Sequence, residues 1–369
     1  MKFKRFAAVT ATLGVVVAGG IFAGSANAEV VSNSYVMVGS DTLQDAANAL
    51  ANGTNITGPR VRISAGGDTI GSFDAFPSTG TGSQIQTKPG GPYFLRPSGS
   101  GNGVTALRAS ITGAGYGPQG AQKTITGQVD IARSSSAPGS NANQDGKLAY
   151  IPFGRDAVSY IYKGGTAAWG NLTAAQLKQV YEGTLTSIDG VAVNPRLPQS
   201  GSGTRSFFLG AIGNPTLKAG IDTNNTTAEN DATVLAAGEI IPFSVASWTA
   251  QVAGAAGTNT VAASTGVALG TPLAGVAPVT GTGASTVPNA AFYASTTFGR
   301  DTYLVVERAR ITPGGANYDA NLANLVDPTR TSSLTNFTSS LASSPASVKR
   351  KFGFLAPSQT APIFAYVTL

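Results

Sequence analysis

Serine, threonine and glycine gather where an apolar helical pattern begins, most densely in residues 200–205 (SGSGTR). Phe207 and Phe208 follow at a spacing typical of a buried helix face. Small residues leave main-chain N–H groups uncovered, and a helix start carries unpaired N–H groups with a partial positive charge. The run therefore predicts a helix start that binds a small anion.

Three further runs are rich in the same residue types. Residues 39–42 (GSDT) and residues 98–103 (SGSGNG) each precede an apolar helical pattern, although the preference for serine and threonine as helix caps also explains either run alone. Residues 129–138 form a predicted strand that ends in Arg133 and three serines, and open α/β sheets bind ligands at the carboxyl ends of strands. An exposed polar turn is the alternative for this last run. Together the three runs that precede helical patterns predict one oxyanion held by several helix starts.

The alternation of predicted strands and helices indicates an α/β fold, which would carry these runs at the edges of its layers. Residues 150–162 and 303–306 are extended and apolar, and they predict two crossovers between lobes. We expect lobe I to contain residues 29–150 and 302–369, and lobe II to contain residues 151–301.

Histidine and cysteine are both absent from the 369 residues. The absence of histidine removes the Ser-His-Asp triad and the commonest metal ligand, and the absence of cysteine removes disulfides and thiol chemistry. A phosphohydrolase with a serine or threonine nucleophile would need a carboxylate-bound metal or a lysine base, and the sequence has no clustered Asp/Glu motif. Lysine and arginine form no stripe interleaved with aromatic residues. We therefore expect neither an enzyme, nor a cofactor or metal site, nor a nucleic-acid partner.

The first 28 residues have the pattern of a cleavable signal peptide. Lys2, Lys4 and Arg5 precede an apolar stretch over 7–24, and residues 26–28 (ANA) fit a cleavage site. A membrane anchor is the alternative, but alanine and glycine dilute the apolar stretch. Cleavage would leave 369 − 28 = 341 residues with a net charge of 21 − 18 = +3, since it removes three of 24 Lys+Arg and none of 18 Asp+Glu. No cysteine follows to carry a lipid, so we expect a secreted, extracytoplasmic chain without stable membrane insertion.

The four runs, in their order along the chain, resemble the phosphate-binding proteins of ABC importers, a branch of the periplasmic-type solute-binding proteins. The resemblance spans most of residues 35–310 and implies an α/β, two-lobe periplasmic-binding-protein-like (type II) fold with two hinge crossovers. It implies that the lobes close over a dehydrated phosphate. The positions that match the family's contacts are Thr42, Leu43 through its backbone, Ser100, Ser202, Gly203 and Thr204.

Two positions depart from the family's pattern. The family's arginine, four residues before the Ser-Gly-Thr serine, is Pro198 here, and Arg133 or Arg205 would have to replace it. The family's aspartate before Ala-Pro is Ser136, next to Ser135, which we also place among the ligand-binding residues. A carboxylate beside an anion is favourable only with a proton between them, so the loss of this aspartate leaves phosphate-over-sulfate selection open. Asp41 is a candidate replacement.

We expect a monomeric, secreted solute-binding protein that captures an oxyanion, with phosphate as the main candidate, for uptake through an ABC permease. The alternative on the same fold is an extracellular protein without a transport role. It would be a phosphate scavenger or a surface-associated structural or adhesive protein, because a chain without a lipid anchor would diffuse away from a cell that has no outer membrane.

Overall fold

The computed structural model describes residues 34–77, 84–221 and 227–369. The predicted signal peptide, residues 1–28, lies outside the described residues.

The strands build the frame of the molecule. They are Tyr35–Gly39 (β1), Ile70–Ser72 (β2), Gln84–Ile85 (β3), Phe94–Leu95 (β4), Gly115–Tyr116 (β5), Lys123–Thr124 (β6), Ile131–Ser134 (β7), Leu148–Lys163 (β8), Ser187–Ile188 (β9), Val191–Ala192 (β10), Asn194–Pro195 (β11), Glu239–Ser244 (β12), Val267–Leu269 (β13), Val279–Thr280 (β14), Val287–Pro288 (β15), Gly299–Glu307 (β16) and Ile363–Ala365 (β17).

The α-helices surround this frame. They are Gln44–Asn52 (α1), Ser100–Thr112 (α2), Ala174–Glu182 (α3), Gly203–Ala211 (α4), Val245–Val252 (α5), Thr260–Ala263 (α6), Ala290–Tyr293 (α7), Arg308–Ile311 (α8), Ala320–Val326 (α9) and Pro345–Lys351 (α10). Short 3₁₀ turns lie at Gly139–Asn141, Ala167–Asn171, Ala232–Val234 and Gly283–Ser285.

The main sheet has the strand order β11-β12-β8-β16-β7-β1-β2, and β13 and β17 also pair with β8. The long strand β8 divides it. Residues 148–157 of β8 pair antiparallel with β16, whereas residues 158–163 pair antiparallel with β12. We call the part built on β2, β1, β7, β16, β17 and the first portion of β8 half-sheet I. The part built on β11, β12, β13 and the second portion of β8 is half-sheet II.

Helices cover both faces of half-sheet I. Met37 of β1 packs in a core cluster with Leu50 of α1, whereas its neighbour Val38 packs in another cluster with Val104 and Leu107 of α2. Successive side chains of a strand point to opposite faces, so α1 and α2 lie on opposite sides of β1. Because β1 pairs in parallel with both β2 and β7, its apolar sequence fits a strand buried on both faces.

Half-sheet II has its own core. Tyr160 of β8 packs with Leu177 of α3 and Phe208 of α4. Ile161, which points to the other face, packs with Phe243 of β12. The start of α4 is therefore fixed to half-sheet II, and the starts of α1 and α2 are fixed to half-sheet I.

The predicted lobe boundaries stay a prediction. Ile151 and Phe153, which lie beyond the predicted end of the first segment of lobe I, pack with Leu304 in a core cluster of half-sheet I. Ala246 and Ala250 of α5 belong to the same cluster. The cores therefore divide within β8 at about the position where its pairing partner changes from β16 to β12.

Within the described ranges, no helix has both the length and the apolar character needed to cross a bilayer.

Candidate anion-binding site

The starts of α1, α2 and α4 meet between the two half-sheets. Gly101 N in the first turn of α2 donates to Gly201 O, just before α4, at 3.0 Å. Gly103 of α2 approaches the end of β1 so closely that an added Cβ would lie 2.6 Å from Gly39 Cα. Thr42 Oγ1, before α1, lies 3.4 Å from Thr204 Oγ1 in α4. The three predicted runs therefore come together in one place.

Serine hydroxyls from half-sheet I lie against the start of α4. Ser100 Oγ lies 3.1 Å from Ser135 Oγ and accepts from Ser135 N at 2.9 Å, and Ser136 Oγ donates to Gly203 O at 3.3 Å. A Cβ at position 203 would clash with Ser100 Oγ and would lie 2.5 Å from Ser135 Oγ and 2.8 Å from Ser136 Oγ. Only glycine fits at position 203 without displacing these hydroxyls.

Ser202 caps α4, as its sequence context predicts. Its Oγ accepts from Arg205 N at 3.0 Å, which satisfies one of the N–H groups left open at the helix start. The same hydroxyl donates to the Glu229 carboxylate. Ser202 is fully buried, and its hydroxyl both donates a hydrogen bond to a protein group and accepts one from a protein group.

A second group of polar side chains surrounds Thr42 and Thr204. Arg300 Nη2 donates to Thr204 Oγ1 at 2.9 Å and lies 3.4 Å from Thr42 Oγ1. Thr204 is fully buried, and Thr42 and Arg300 are 5% and 4% exposed. Among the described residues, Arg300 Nη1 has no hydrogen-bond partner although it is buried. A buried guanidinium with an open donor is costly on its own and suits an anionic ligand.

Asp156 holds Arg300 in this position. The two residues lie directly opposite each other on β8 and β16, and Asp156 Oδ2 accepts from Arg300 Nε at 3.1 Å and Nη2 at 2.8 Å. Ser244 Oγ and Ala246 N also donate to Asp156. These bonds offset the cost of burying the ion pair and fix the direction of the guanidinium.

Two carboxyl groups lie at the edge of this group. Burial raises the pKa of Asp41 well above its ordinary value, and the adjacent Glu229 carboxylate raises it further. Asn230 Nδ2 donates to Asp41 Oδ1 at 3.0 Å and to Thr42 Oγ1 at 3.3 Å. Two carboxylates that share a site cannot both ionise easily, so the neighbouring Glu229 makes it easier to protonate Asp41 beside Thr42.

The two arginines predicted to replace the family's arginine have other partners. Arg133 is fully buried and donates to Ser40 O at 2.9 Å, to Ser72 Oγ at 2.8 Å and to Phe73 O at 2.7 Å. Desolvation lowers the pKa of Arg133 to about 10, against the opposing effect of nearby aspartates. Arg205 Nη1 donates to Pro198 O at 3.0 Å. The structure thus uses Arg133 to brace the turn before α1, and it brings Arg300 to the two threonines.

The predicted residues therefore fall into distinct sets. Ser100, Ser135, Ser136, Ser202 and Gly203 lie at the α2–α4 contact, and Thr42 and Thr204 lie at Arg300. Leu43 is fully buried in the core of half-sheet I, and its backbone begins α1. Which of these groups touch a ligand stays a prediction.

Sequence reasoning missed Arg300, Asp156, Glu229 and Asn230. The first two carried a usable signal, because each is a charged residue in an Arg-Asp pair that apolar extended segments flank. Such a residue is rarely buried without a partner. Glu229 and Asn230 belong to an ordinary polar segment, and only the fold brings them to Thr42.

No group of three or more His, Cys, Asp or Glu side chains that could hold a metal ion occurs in residues 34–77, 84–221 and 227–369. The donor set at the meeting helix starts consists of hydroxyl groups, N–H groups and one guanidinium, which suits an oxyanion rather than a cation.

Comparison with known proteins places this architecture in a family. The family model described as "PBP superfamily domain" matches residues 77–329. No curated protein sequence matches the chain significantly. The chain is similar in structure to an ABC-type phosphate transport receptor from Vibrio cholerae, with a TM-score of 0.48, 14% identity, and coverage of 88% of this chain and 100% of that one. It is also similar to a phosphate-binding protein from Stenotrophomonas maltophilia, with a TM-score of 0.46, 14% identity, and coverage of 89% and 91%.

The family match spans well over half of the chain and includes residues 98–103 and 200–205, β8 and all of β16. It confirms the predicted α/β fold of the periplasmic-binding-protein type. The chain therefore belongs to the PBP superfamily.

Proposed function

We propose that the chain is a secreted solute-binding protein that captures an oxyanion between its two half-sheets, with inorganic phosphate as the main candidate, for uptake through an ABC permease. One observation carries the proposal. Thr42 from half-sheet I, Thr204 from half-sheet II and the guanidinium of Arg300 converge within hydrogen-bond distance. Hydroxyl donors and a guanidinium from separate parts of the chain form a set that recognises an oxyanion.

Binding would be coupled to closure of the two half-sheets. The donors at the start of α4 move with half-sheet II, and those at α1 and α2 move with half-sheet I. A ligand that contacts both sets interacts with the closed form only, so it shifts the population toward closure. Periplasmic binding proteins close around their ligands by a hinge motion between domains. The proposed hinge is the point along β8 where its pairing partner changes from β16 to β12.

The Asp41–Glu229 pair is the proposed selector for phosphate over sulfate. Near neutral pH phosphate still carries a proton, which a carboxylate can accept in a hydrogen bond, whereas sulfate carries none. Burial and the neighbouring Glu229 also raise the pKa of Asp41, which makes it easier to protonate this pair. A ligand without a proton would place a negative charge beside these two carboxyl groups with no hydrogen between them.

A binding role accounts for the site better than a catalytic one. The described residues offer no metal cluster, and no imidazole exists in the chain to act as a general base. Hydrolysis of a chromogenic phosphate ester that disappears in Ser202→Ala would overturn this part of the proposal.

Isothermal titration of the mature chain with phosphate and with sulfate tests the proposal. Heat and thermal stabilisation with phosphate, and weaker effects with sulfate, are the expected results. An absence of heat and of stabilisation with both anions would refute it. Phosphate uptake can then be measured in cells that lack the gene, before and after the protein is supplied again. A transport protein would restore uptake, whereas a scavenger would bind phosphate without restoring it.

A further inference from the structure

A cavity of about 360 Å³ opens beside the meeting helix starts. It lies between the first turns of α2 and α4 and shares Ser100, Ser136, Ser202 and Gly203 with the candidate site. Gly203 lines the cavity and its chain neighbour Thr204 contacts Arg300, so the cavity adjoins the place where the proposed oxyanion would bind, although Thr42, Thr204 and Arg300 do not line it.

The cavity is larger than an inorganic oxyanion requires. Phosphate has five non-hydrogen atoms, and a water molecule takes up about 30 Å³ in the liquid. Cavities of roughly 300–1,000 Å³ are typical of sites for small organic ligands. A ligand that fills this cavity thus has a body in addition to its anionic group.

The wall of the cavity is polar but uncharged. No Asp, Glu, Lys or Arg among the described residues lines it. Thr105 Oγ1 donates to Gly101 O at 2.9 Å, Ser206 Oγ donates to Ser202 O at 3.1 Å and Asn141 Nδ2 donates to Pro138 O at 3.3 Å. A hydroxyl whose proton is used in this way presents only lone pairs. The Thr105 and Ser206 hydroxyls on the wall therefore accept hydrogen bonds from a ligand.

An acceptor wall complements a ligand body that donates. The hydroxyl groups of a sugar or polyol donate hydrogen bonds, whereas an ionised oxyanion is almost purely an acceptor. Tyr150 and Tyr366 also line the cavity and add aromatic surface for the carbon skeleton of such a body. An uncharged wall accommodates both the hydroxyl groups and the carbon skeleton of the ligand, but it offers no counter-ion for a second charged group.

We propose that the preferred ligand is a phosphate monoester of a small polyol or sugar. Its phosphate binds at the helix starts near Thr42, Thr204 and Arg300, and its hydroxyl-bearing body occupies the cavity between α2 and α4. This inference rests on the proposed function, because it requires that the helix starts bind the phosphate group.

Titration calorimetry with inorganic phosphate, glycerol 3-phosphate and glucose 6-phosphate tests the inference. We expect at least one ester to bind about tenfold more tightly than inorganic phosphate, as two additional neutral hydrogen bonds would provide. Binding of inorganic phosphate with equal or higher affinity than both esters overturns the inference but leaves the proposed function intact. No binding by any of the three compounds overturns both.

A pair of substitutions on one helix locates the effect. Thr105→Leu projects a larger apolar group into the cavity and should remove the preference for the ester. Thr112→Leu is the matched control, because Thr112 is also exposed on α2, donates to the carbonyl four residues earlier at 2.9 Å and lies outside this cavity. An ester preference that survives Thr105→Leu, or that Thr112→Leu removes equally, contradicts the placement of the ligand body.

Discussion

Arg300 and Asp156 face each other across β16 and β8, with Arg300 Nη2 only 2.8 Å from Asp156 Oδ2. Both strands lie at the junction of the two half-sheets. The same Nη2 reaches Thr204 Oγ1 in the first turn of α4, so the ion pair joins the hinge region to a helix start. A guanidinium held in this way is fixed in direction before any ligand arrives, which lowers the cost of binding.

Replacing Arg300 by methionine should destabilise the protein strongly. The side chains of Arg300 and Asp156 are 3% and 0% exposed, so the substitution leaves a buried carboxylate without its counter-charge. We expect the free energy of unfolding to fall by about 3–5 kcal/mol, measured by urea denaturation. Arg196→Met is the control, because Arg196 and Glu239 are 35% and 20% exposed and such a pair contributes about 1 kcal/mol or less. Equal losses in the two variants would show that Asp156 does not depend on Arg300.

Two glycines of α4 separate the effects of helix propensity and close packing. Gly203→Ala should weaken phosphate binding about tenfold or more, because its Cβ would push Ser100, Ser135 and Ser136 away from the helix start. Gly210→Ala places its Cβ in open space and should keep the affinity while it stabilises the helix by about 0.5–1 kcal/mol. Calorimetry and thermal melts measure both quantities. Unchanged affinity in Gly203→Ala would mean that the anion does not contact this helix start.

The hydroxyl of Thr204 should contribute directly to affinity. Thr204→Val keeps the shape of the side chain but removes the group that meets Arg300 and Thr42, and a hydrogen bond to a charged partner is worth about 1.5–3 kcal/mol. We expect phosphate affinity to fall by roughly tenfold to a hundredfold. Thr184→Val, at an exposed hydroxyl that donates to Gln179 O, should leave the affinity as it is. A loss of similar size in both variants would contradict a specific role for Thr204.

Asp45 should make stability depend on pH between about 4 and 6. Burial, and then the charge of Asp74, raise the pKa of Asp45 to about 6 in spite of Arg133, whereas an unfolded aspartate titrates near about 3.9. The folded state thus binds the proton more tightly, so this stabilisation is complete below about pH 4 and is lost as the pH rises to 6. The free energy of unfolding should fall over this range, and Asp45→Asn should reduce the slope. Identical slopes would show that Asp45 titrates normally in the folded protein.

The sequence was sufficient to predict the parts of the site that residues close together in the chain form. Ser202 caps α4, and residues 39–42 and 98–103 lie at the starts of α1 and α2, because cap and turn preferences depend on near neighbours. The guanidinium could not be found in the same way. Arg133 and Arg205 are close to the motifs in sequence, yet backbone carbonyls occupy both. Arg300 reaches Thr204 only through the register of β16 on β8, which a single sequence does not specify.

The division of the chain into lobes was equally hard to locate. Residues 150–162 read as one apolar extended segment, and they do form part of a single strand. The change of pairing partner within β8, from β16 to β12, depends on strands that lie far away in the sequence. Apolar periodicity identifies a buried strand, but it carries no information about which strand lies beside it.

A crystal structure of the mature chain grown with phosphate tests the central claim most directly. We predict density for one anion within hydrogen-bond distance of Thr42, Thr204 and Arg300 and close to the first N–H groups of α2 or α4. Full occupancy of an anion at another surface, with these side chains bonded only to each other at saturating phosphate, would contradict the account.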